Sequence, residues 1–320
     1  MAIDIDRPKV TAAMARPPEP DHGIGHYTFI DYLMQGYLGF VGLIALLLHG
    51  DRFEQWPLIV GGHAVSMLAI HFLIRLYAAY PKNRILDFLR TLYPLIAVAV
   101  LYRETGMVNQ LITGTFHDGF FVALEQRVFG FQPVVRFMET MPARVVAEVL
   151  YFAYFSYYSL VVLVGIVLYV KDRREVFHYI SVVSFVFYSC YLVFIIFPVL
   201  GPTAIQLPGY AEQVGFSYDI PPIPASVSSA WFYRLMTVIH GEYQVIGAAF
   251  PSSHVAVSTV AAYFAWLYLR RVRYLIALDV FLLALATVYC RYHYAVDSIA
   301  GILVAAALIP IGNRLFQRFR

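Results

Sequence analysis

Two short stretches of this chain set chemistry-bearing side chains into otherwise apolar sequence. The first is Phe250-Pro251-Ser252-Ser253-His254. Proline suits the first turn of a helix, where its missing N–H removes no bond. The N–H groups of that turn lack partners within the helix and form a ready site for an anionic oxygen. Ser252 and Ser253 add hydroxyl donors, and His254 follows in the same turn. The combination suits a phosphate cradle with a proton donor beside it. The second stretch is Arg291-Tyr292-His293-Tyr294-Ala295-Val296-Asp297. His293 and Asp297 are four residues apart and would share a helix face. A carboxylate bonded to one ring nitrogen fixes the tautomer and leaves the other nitrogen free to attack. Arg291 brings a planar fork of donors suited to phosphate oxygens.

Each feature has a bland reading. An intramembrane His commonly hydrogen-bonds neighbouring helices, a Ser at a helix start caps it, and His293–Asp297 could be a buried structural couple. Ionisable residues in membrane segments are functional suspects by default, and here Ser, Ser, His, Arg, His and Asp map to one side of the membrane. That convergence favours a site.

The elements that must position these residues are membrane helices. Hydrophobic residues make up 60% of the 320-residue chain and charged residues 13%, about half the charge of an ordinary soluble domain. Eight apolar stretches, at 30–49, 57–80, 86–104, 147–170, 177–198, 252–269, 274–290 and 294–313, approach the roughly 20 residues that a spanning helix needs. The pattern predicts an all-α, polytopic bundle. The sixth and seventh spans, on either side of Arg270–Arg273, form a hairpin, so His254 and His293 fall at one membrane depth. A polar tail (1–28) precedes the first span and a basic tail (314–320) follows the last. Two connections, 105–146 and 199–251, are too long for turns. The first holds the apolar runs 120–124 and 128–131, which suit an interfacial or re-entrant segment, and the second is dense in Pro and Gly. Sixteen of the 23 basic residues lie in the tails and in the short loops of one side. The positive-inside rule therefore puts both termini in the cytoplasm and the 199–251 loop, with the site, on the other side. The partner implied is the lipid bilayer, and no nucleic-acid partner is expected. Cys190 and Cys290 sit in apolar stretches without the spacing of a metal clip or redox pair.

Pro251-Ser252-Ser253-His254 resembles the Pro-Ser-Gly-His motif of the type 2 phosphatidic acid phosphatase superfamily. The stretch from Tyr289 through His293 and Asp297 to Gly301 resembles that superfamily's final His-x3-Asp motif. Its wording is nearest the inositolphosphotransferase, or inositol phosphorylceramide synthase, branch. Phe197-Pro198-Val199-Leu200-Gly201-Pro202-Thr203 is similar to the junction before the outer loop in that branch. The resemblance covers roughly 86–313, a six-helix catalytic core, and leaves two extra helices (29–85) in front. It implies a metal-free, cofactor-independent, two-step transfer: His293 attacks phosphorus, Asp297 orients it, and His254 protonates the departing alkoxide. A lipid alcohol, a polyol or water would then accept the group. A lipid phosphate or phospholipid would be the donor.

The chain departs from the family pattern in three respects. Ser253 replaces the family's Gly. The Lys-x6-Arg-Pro motif of other branches is absent. Arg291 lies two residues before His293, whereas those branches place an Arg six before, where this chain has Thr287. Arg291, Ser252 and Ser253 are therefore the expected phosphate ligands. Thr203, Arg234 and His240 of the outer loop are further candidates to complete the clamp or read the head group, and Arg90 falls on the cytoplasmic side. Elsewhere, His63 and His71 are eight apart on the second span, which invites a haem or metal reading. The expectation is helix packing, with His49 a potential partner of His63 and no carboxylate joining them. His117-Asp118 reads as a turn and a weaker second site. The rival class is a transporter using His254, His293 and Asp297 as a proton relay or substrate site. Discontinuous helices and inverted repeats would support it, and the sequence carries neither pattern.

Overall fold

A computed structural model describes residues 27–214 and 220–319. The polar tail expected over 1–28 thus lies, but for its last two residues, outside the described residues. Helices account for the described fold, with no strands among those residues. In order they are α1 (Phe29–Leu48), α2 (Trp56–Ala79), α3 (Arg84–Val108), α4 (Asp118–Phe129), α5 (Pro133–Thr140), α6 (Arg144–Lys171) and α7 (Arg173–Ile196). There follow α8 (Pro202–Ile205), α9 (Tyr210–Val214), α10 (Ala225–Ser228), α11 (Trp231–Tyr243), α12 (Ser253–Tyr268), α13 (Arg273–Tyr289) and α14 (Ala295–Arg318).

Eight of these occupy the eight expected spans. Six, α1, α2, α3, α6, α7 and α14, are long and apolar enough to cross a membrane. The other two, α12 and α13, have 16 and 17 residues, about 24–26 Å at the helical rise. Local chemistry sets the boundaries. The Asp172 side chain ends the α6–α7 hairpin by accepting from the Arg174 N–H, a standard N-cap role. Gly130, at φ +76°, closes α4 in the left-handed conformation.

Most of α7 is buried, and it packs against α3, α6, α12 and α14. By contrast, α2 shows Leu58, Val65, Leu68 and Phe72 on its outer face, each more than half exposed. Such a face suits lipid, because the helix satisfies its own backbone. The described ends of the chain meet: Phe29 N–H donates to the Phe319 carbonyl at 3.1 Å. The start of α1 and the end of α14 therefore share one face of the bundle, as an even number of crossings requires. The starts of α12 and α14 lie at the opposite face. Both long connections lie there too and contain helices, α4 and α5 in the first and α8–α11 in the second.

Candidate active site

The site forms where α12 and α14 begin, and a glycine lets them meet. A Cβ on Gly301 would lie 2.6 Å from the Ser252 carbonyl, closer than side chains tolerate. The contact is pinned by Ser252 N–H donating to the Asp297 carbonyl at 3.0 Å. Ser252 caps α12 by accepting from Val255 N–H, and Ser252 and Ser253 are buried. On α14, Asp297 Oδ2 accepts from the Tyr294 N–H at 2.9 Å, so the carboxylate caps its own helix.

The two imidazoles come together: the ring centroids of His254 and His293 are 5.6 Å apart. His293 is buried, and its Nδ1 lies 2.9 Å from the Ala249 carbonyl and 3.6 Å from Asp297 Oδ2. A carbonyl can only accept, so Nδ1 carries the proton and Nε2 holds the lone pair. The tautomer that the sequence assigns to Asp297 is thus fixed first by a backbone carbonyl, with the carboxylate in support. Burial lowers the His293 pKa to about 4, which keeps the ring neutral near neutral pH.

The Ala249 carbonyl is itself held in place. Val199 and Ala248 form a parallel bridge, in which Val199 N–H donates to Gly247 O and Ala249 N–H to Val199 O. The Val199–Gly201 side is fixed by Asp118 of α4, which accepts from the N–H groups of Leu200 and Gly201 and from the Tyr294 hydroxyl. Gly201 has φ +86°, and a Cβ there would meet the Tyr292 carbonyl at 2.7 Å; only glycine fits. From one turn further along α4 and its next, Glu125 Oε1 accepts from the first N–H groups of α14, those of Ala295 and Val296. Burial raises the Asp118 pKa and pushes Glu125 up to about 7, against the lowering pull of those hydrogen bonds. Glu125 therefore occupies the anion position at the start of α14.

Arg291 is buried in the turn between α13 and α14, with φ +63°, a conformation that non-glycine residues adopt at a cost of order 1–3 kcal/mol. Its Nη1 donates to the Pro221 carbonyl. Its own carbonyl accepts from the Thr203 N–H and hydroxyl. Thr203 thus braces the Arg291 turn through backbone contact. His240, on α11, stacks on Tyr292 at 3.7 Å, and burial followed by the neighbouring His293 lowers its pKa to about 4. It joins the site. Arg234 does not: it is exposed, and its Nε donates to Ser228 O at 3.4 Å within the outer loop.

Asp118, expected in a turn and as part of a weaker second site, instead opens α4 and braces this one, while Glu125 and the Ala249 carbonyl were not marked by the sequence. Asp118 and Glu125 are seven apart, one face of a helix, and that spacing of acids in an apolar segment was the available signal. The Ala249 carbonyl had none. Of the other histidines, His63 does meet a carboxylate, contrary to expectation: Glu104 Oε2 lies 2.9 Å from its Nε2. His49 is not its partner; it bonds the Gly50 carbonyl and stacks on Trp56. His71 bonds the Tyr27 hydroxyl, and no group of three or more His, Cys, Asp or Glu placed to hold a metal occurs among the described residues. Arg90 pairs with Asp31 near the start of α1, at the face opposite the site.

The model of a family described as the PAP2 superfamily matches residues 120–311, more than half of the chain. The matched segment runs from within α4 to α14 and contains His254, His293, Asp297, Arg291, Ser252 and Ser253, starting two residues after Asp118. No curated protein and no solved structure matches the chain.

Proposed function

The chain belongs to the PAP2 superfamily, a family of phosphatase- and phosphotransferase-type lipid enzymes, and from that premise we propose that it moves a phosphoryl-containing group between lipids through a phosphohistidine on His293. The observation that carries this reading is the state of His293: Nδ1 spent on the Ala249 carbonyl, Nε2 left with its lone pair, and His254 beside it. In the first step His293 Nε2 forms a bond to phosphorus as the donor's P–O ester bond breaks. The departing alkoxide takes a proton from His254. In the second step an acceptor hydroxyl attacks phosphorus, gives its proton back to His254, and the N–P bond breaks. Asp297 supports the charge that develops on the imidazole. Ser252, Ser253 and Arg291 serve the phosphoryl oxygens, where oriented donors contribute most to such transfers.

Transfer to a lipid or polyol alcohol, as in the inositolphosphotransferase branch, is favoured over hydrolysis by the enclosure of the site. His293 is only 4% exposed, and α11 covers the Tyr292 side through the His240 stack. Excluding water protects an intermediate from hydrolysis. The site faces the non-cytoplasmic side in this reading, because the short basic loops at 82–84, 171–174 and 270–273 lie at the other end of the bundle. The chain then divides into a cytoplasmic tail, two added helices (29–85) and a catalytic core (86–313).

The test supplies purified protein with a phospholipid labelled in its head-group phosphate, with and without diacylglycerol or ceramide. Acid-labile label on the protein, lost in His293→Ala, is the expected intermediate. Equal release of water-soluble phosphate with and without the lipid alcohol would replace transfer by hydrolysis. Undiminished turnover in His293→Ala would end the phosphohistidine reading altogether.

A further inference from the structure

The state of His254 is decided by a residue that no motif marks. Tyr154, on α6, is 1% exposed and places its hydroxyl 3.3 Å from His254 Nε2. This is the one side-chain hydrogen bond that either residue makes among the described residues. The other ring nitrogen, Nδ1, is buried and has no protein partner. Tyr157, one turn along α6, packs its ring at 4.3 Å from the imidazole without bonding it.

Two proton arrangements are open to this pair, and the strengths of the two groups separate them. Suppose Nε2 carried the hydrogen and donated to the phenol oxygen. The phenol hydrogen would then lack an acceptor and the Nδ1 lone pair would lack a donor. If instead the phenol donates to the Nε2 lone pair, the Nδ1–H and the phenol oxygen's lone pairs are the groups left unmet. Each arrangement leaves one donor and one acceptor, but the phenol carries the more acidic hydrogen and the imidazole nitrogen is the more basic acceptor, so the second arrangement wins. The donor it leaves unmet, Nδ1–H, is the kind of group a leaving oxygen requires.

We infer that Tyr154 is a positioning residue that holds His254 as the Nδ1–H tautomer, making Nδ1 the atom that gives the proton to the leaving oxygen and takes one from the acceptor. The inference rests on the role proposed for His254. The geometry explains how one nitrogen can serve both steps. After Nδ1 has lost its proton to the alkoxide, Nε2 keeps accepting from Tyr154, and the vacated Nδ1 lone pair becomes the base for the incoming hydroxyl.

Imidazole nitrogen chemical shifts distinguish a nitrogen bearing hydrogen from one bearing a lone pair, and they need no substrate. In full-length protein labelled with nitrogen-15 histidine, with His254→Gln used to assign the signal, wild type should show a protonated Nδ1 and a lone-pair Nε2. Tyr154→Phe should move hydrogen onto Nε2. It should also lower kcat by about tenfold and shift the pH limb belonging to His254, short of the roughly 10²–10⁴-fold that loss of a general acid costs. Tyr157→Phe, which alters the packing but not the hydrogen bond, should leave the tautomer unchanged. A protonated Nε2 in wild type, an unchanged tautomer in Tyr154→Phe, or the same spectral change in Tyr157→Phe would overturn the inference. Full activity in His254→Gln would instead refute the role of His254, and the tautomer measurement would stand apart from it.

Discussion

Two buried histidine–carboxylate pairs occur among the described residues, one among the added helices and one at the site. His63 of α2 is fully engaged: Nδ1 bonds the Leu38 carbonyl at 2.8 Å, and Nε2 meets Glu104 of α3 at 2.9 Å. His293 spends only Nδ1, on Ala249 O, and its carboxylate stands off at 3.6 Å. The first ring ties α1, α2 and α3 together and has no nitrogen left for chemistry. The second is held as firmly but by one edge. A histidine beside an acid is thus no signature by itself; of the two, only His293 keeps a ring nitrogen for the chemistry proposed above.

The sharpest way to break this contrast is to remove each ring. His293→Ala should lower turnover by at least about 10³-fold, since removing a nucleophile abolishes the covalent route. His63→Ala should leave kcat within about threefold while costing about 1–2 kcal/mol of stability, the size of an interhelical hydrogen bond in lipid. Comparable activity losses in the two variants would erase the distinction. Thermal unfolding in detergent supplies the stability half of the measurement.

Asp297→Asn alters the second pair alone. The Ala249 carbonyl keeps the tautomer in this variant, so the expected fall in kcat is about 10²-fold, below what triads lose when the acid alone sets the tautomer. A loss equal to that of His293→Ala would return tautomer control to the carboxylate. Next in size is Arg291→Ala, which should raise KM by about tenfold through a lost phosphate ligand and leave the trapped intermediate detectable. An unchanged KM would remove Arg291 from the clamp.

The smallest effect concerns the helix that follows His293. Burial raises Glu125 to about 7, with Asp297 adding to the rise, whereas a carboxyl of this kind in the unfolded chain titrates near 4.3. Between those values the folded state holds the extra proton. Stability from this group is therefore fully present below about pH 4.3 and is lost as pH rises through about 7. Glu125→Gln should flatten the pH dependence of unfolding across that window and change kcat only a few-fold, because an amide oxygen can still accept from Ala295 and Val296. An unaltered slope would mean that Glu125 does not titrate there.

Much of this was readable along the chain. The eight apolar stretches fall on eight helices, because lipid demands long runs whose backbone satisfies itself. Residues four apart, such as His293 and Asp297, carry their neighbourhood with them. The capping of α12 by Ser252 was legible for the same reason. Groups joined across long sequence separations were not legible. Asp118 reaches Tyr294 over 176 residues and Glu125 reaches Ala295 over 170, and no local period records such pairs. The expectation that no carboxylate joins His63 failed in this way, since Glu104 lies 41 residues further on.

Hydropathy and short spacing are local properties, so the amino-acid order already marks a helical bundle suited to a membrane and singles out His254, His293 and Asp297 as candidates. Only the tertiary structure decided which nitrogen of each ring is free. That choice rests on a backbone carbonyl at Ala249 and a phenol at Tyr154, brought to the rings by α4, by the Val199–Ala248 bridge and by α6. Every residue carries a carbonyl, and this chain has 25 tyrosines. Packing alone selects the two that matter.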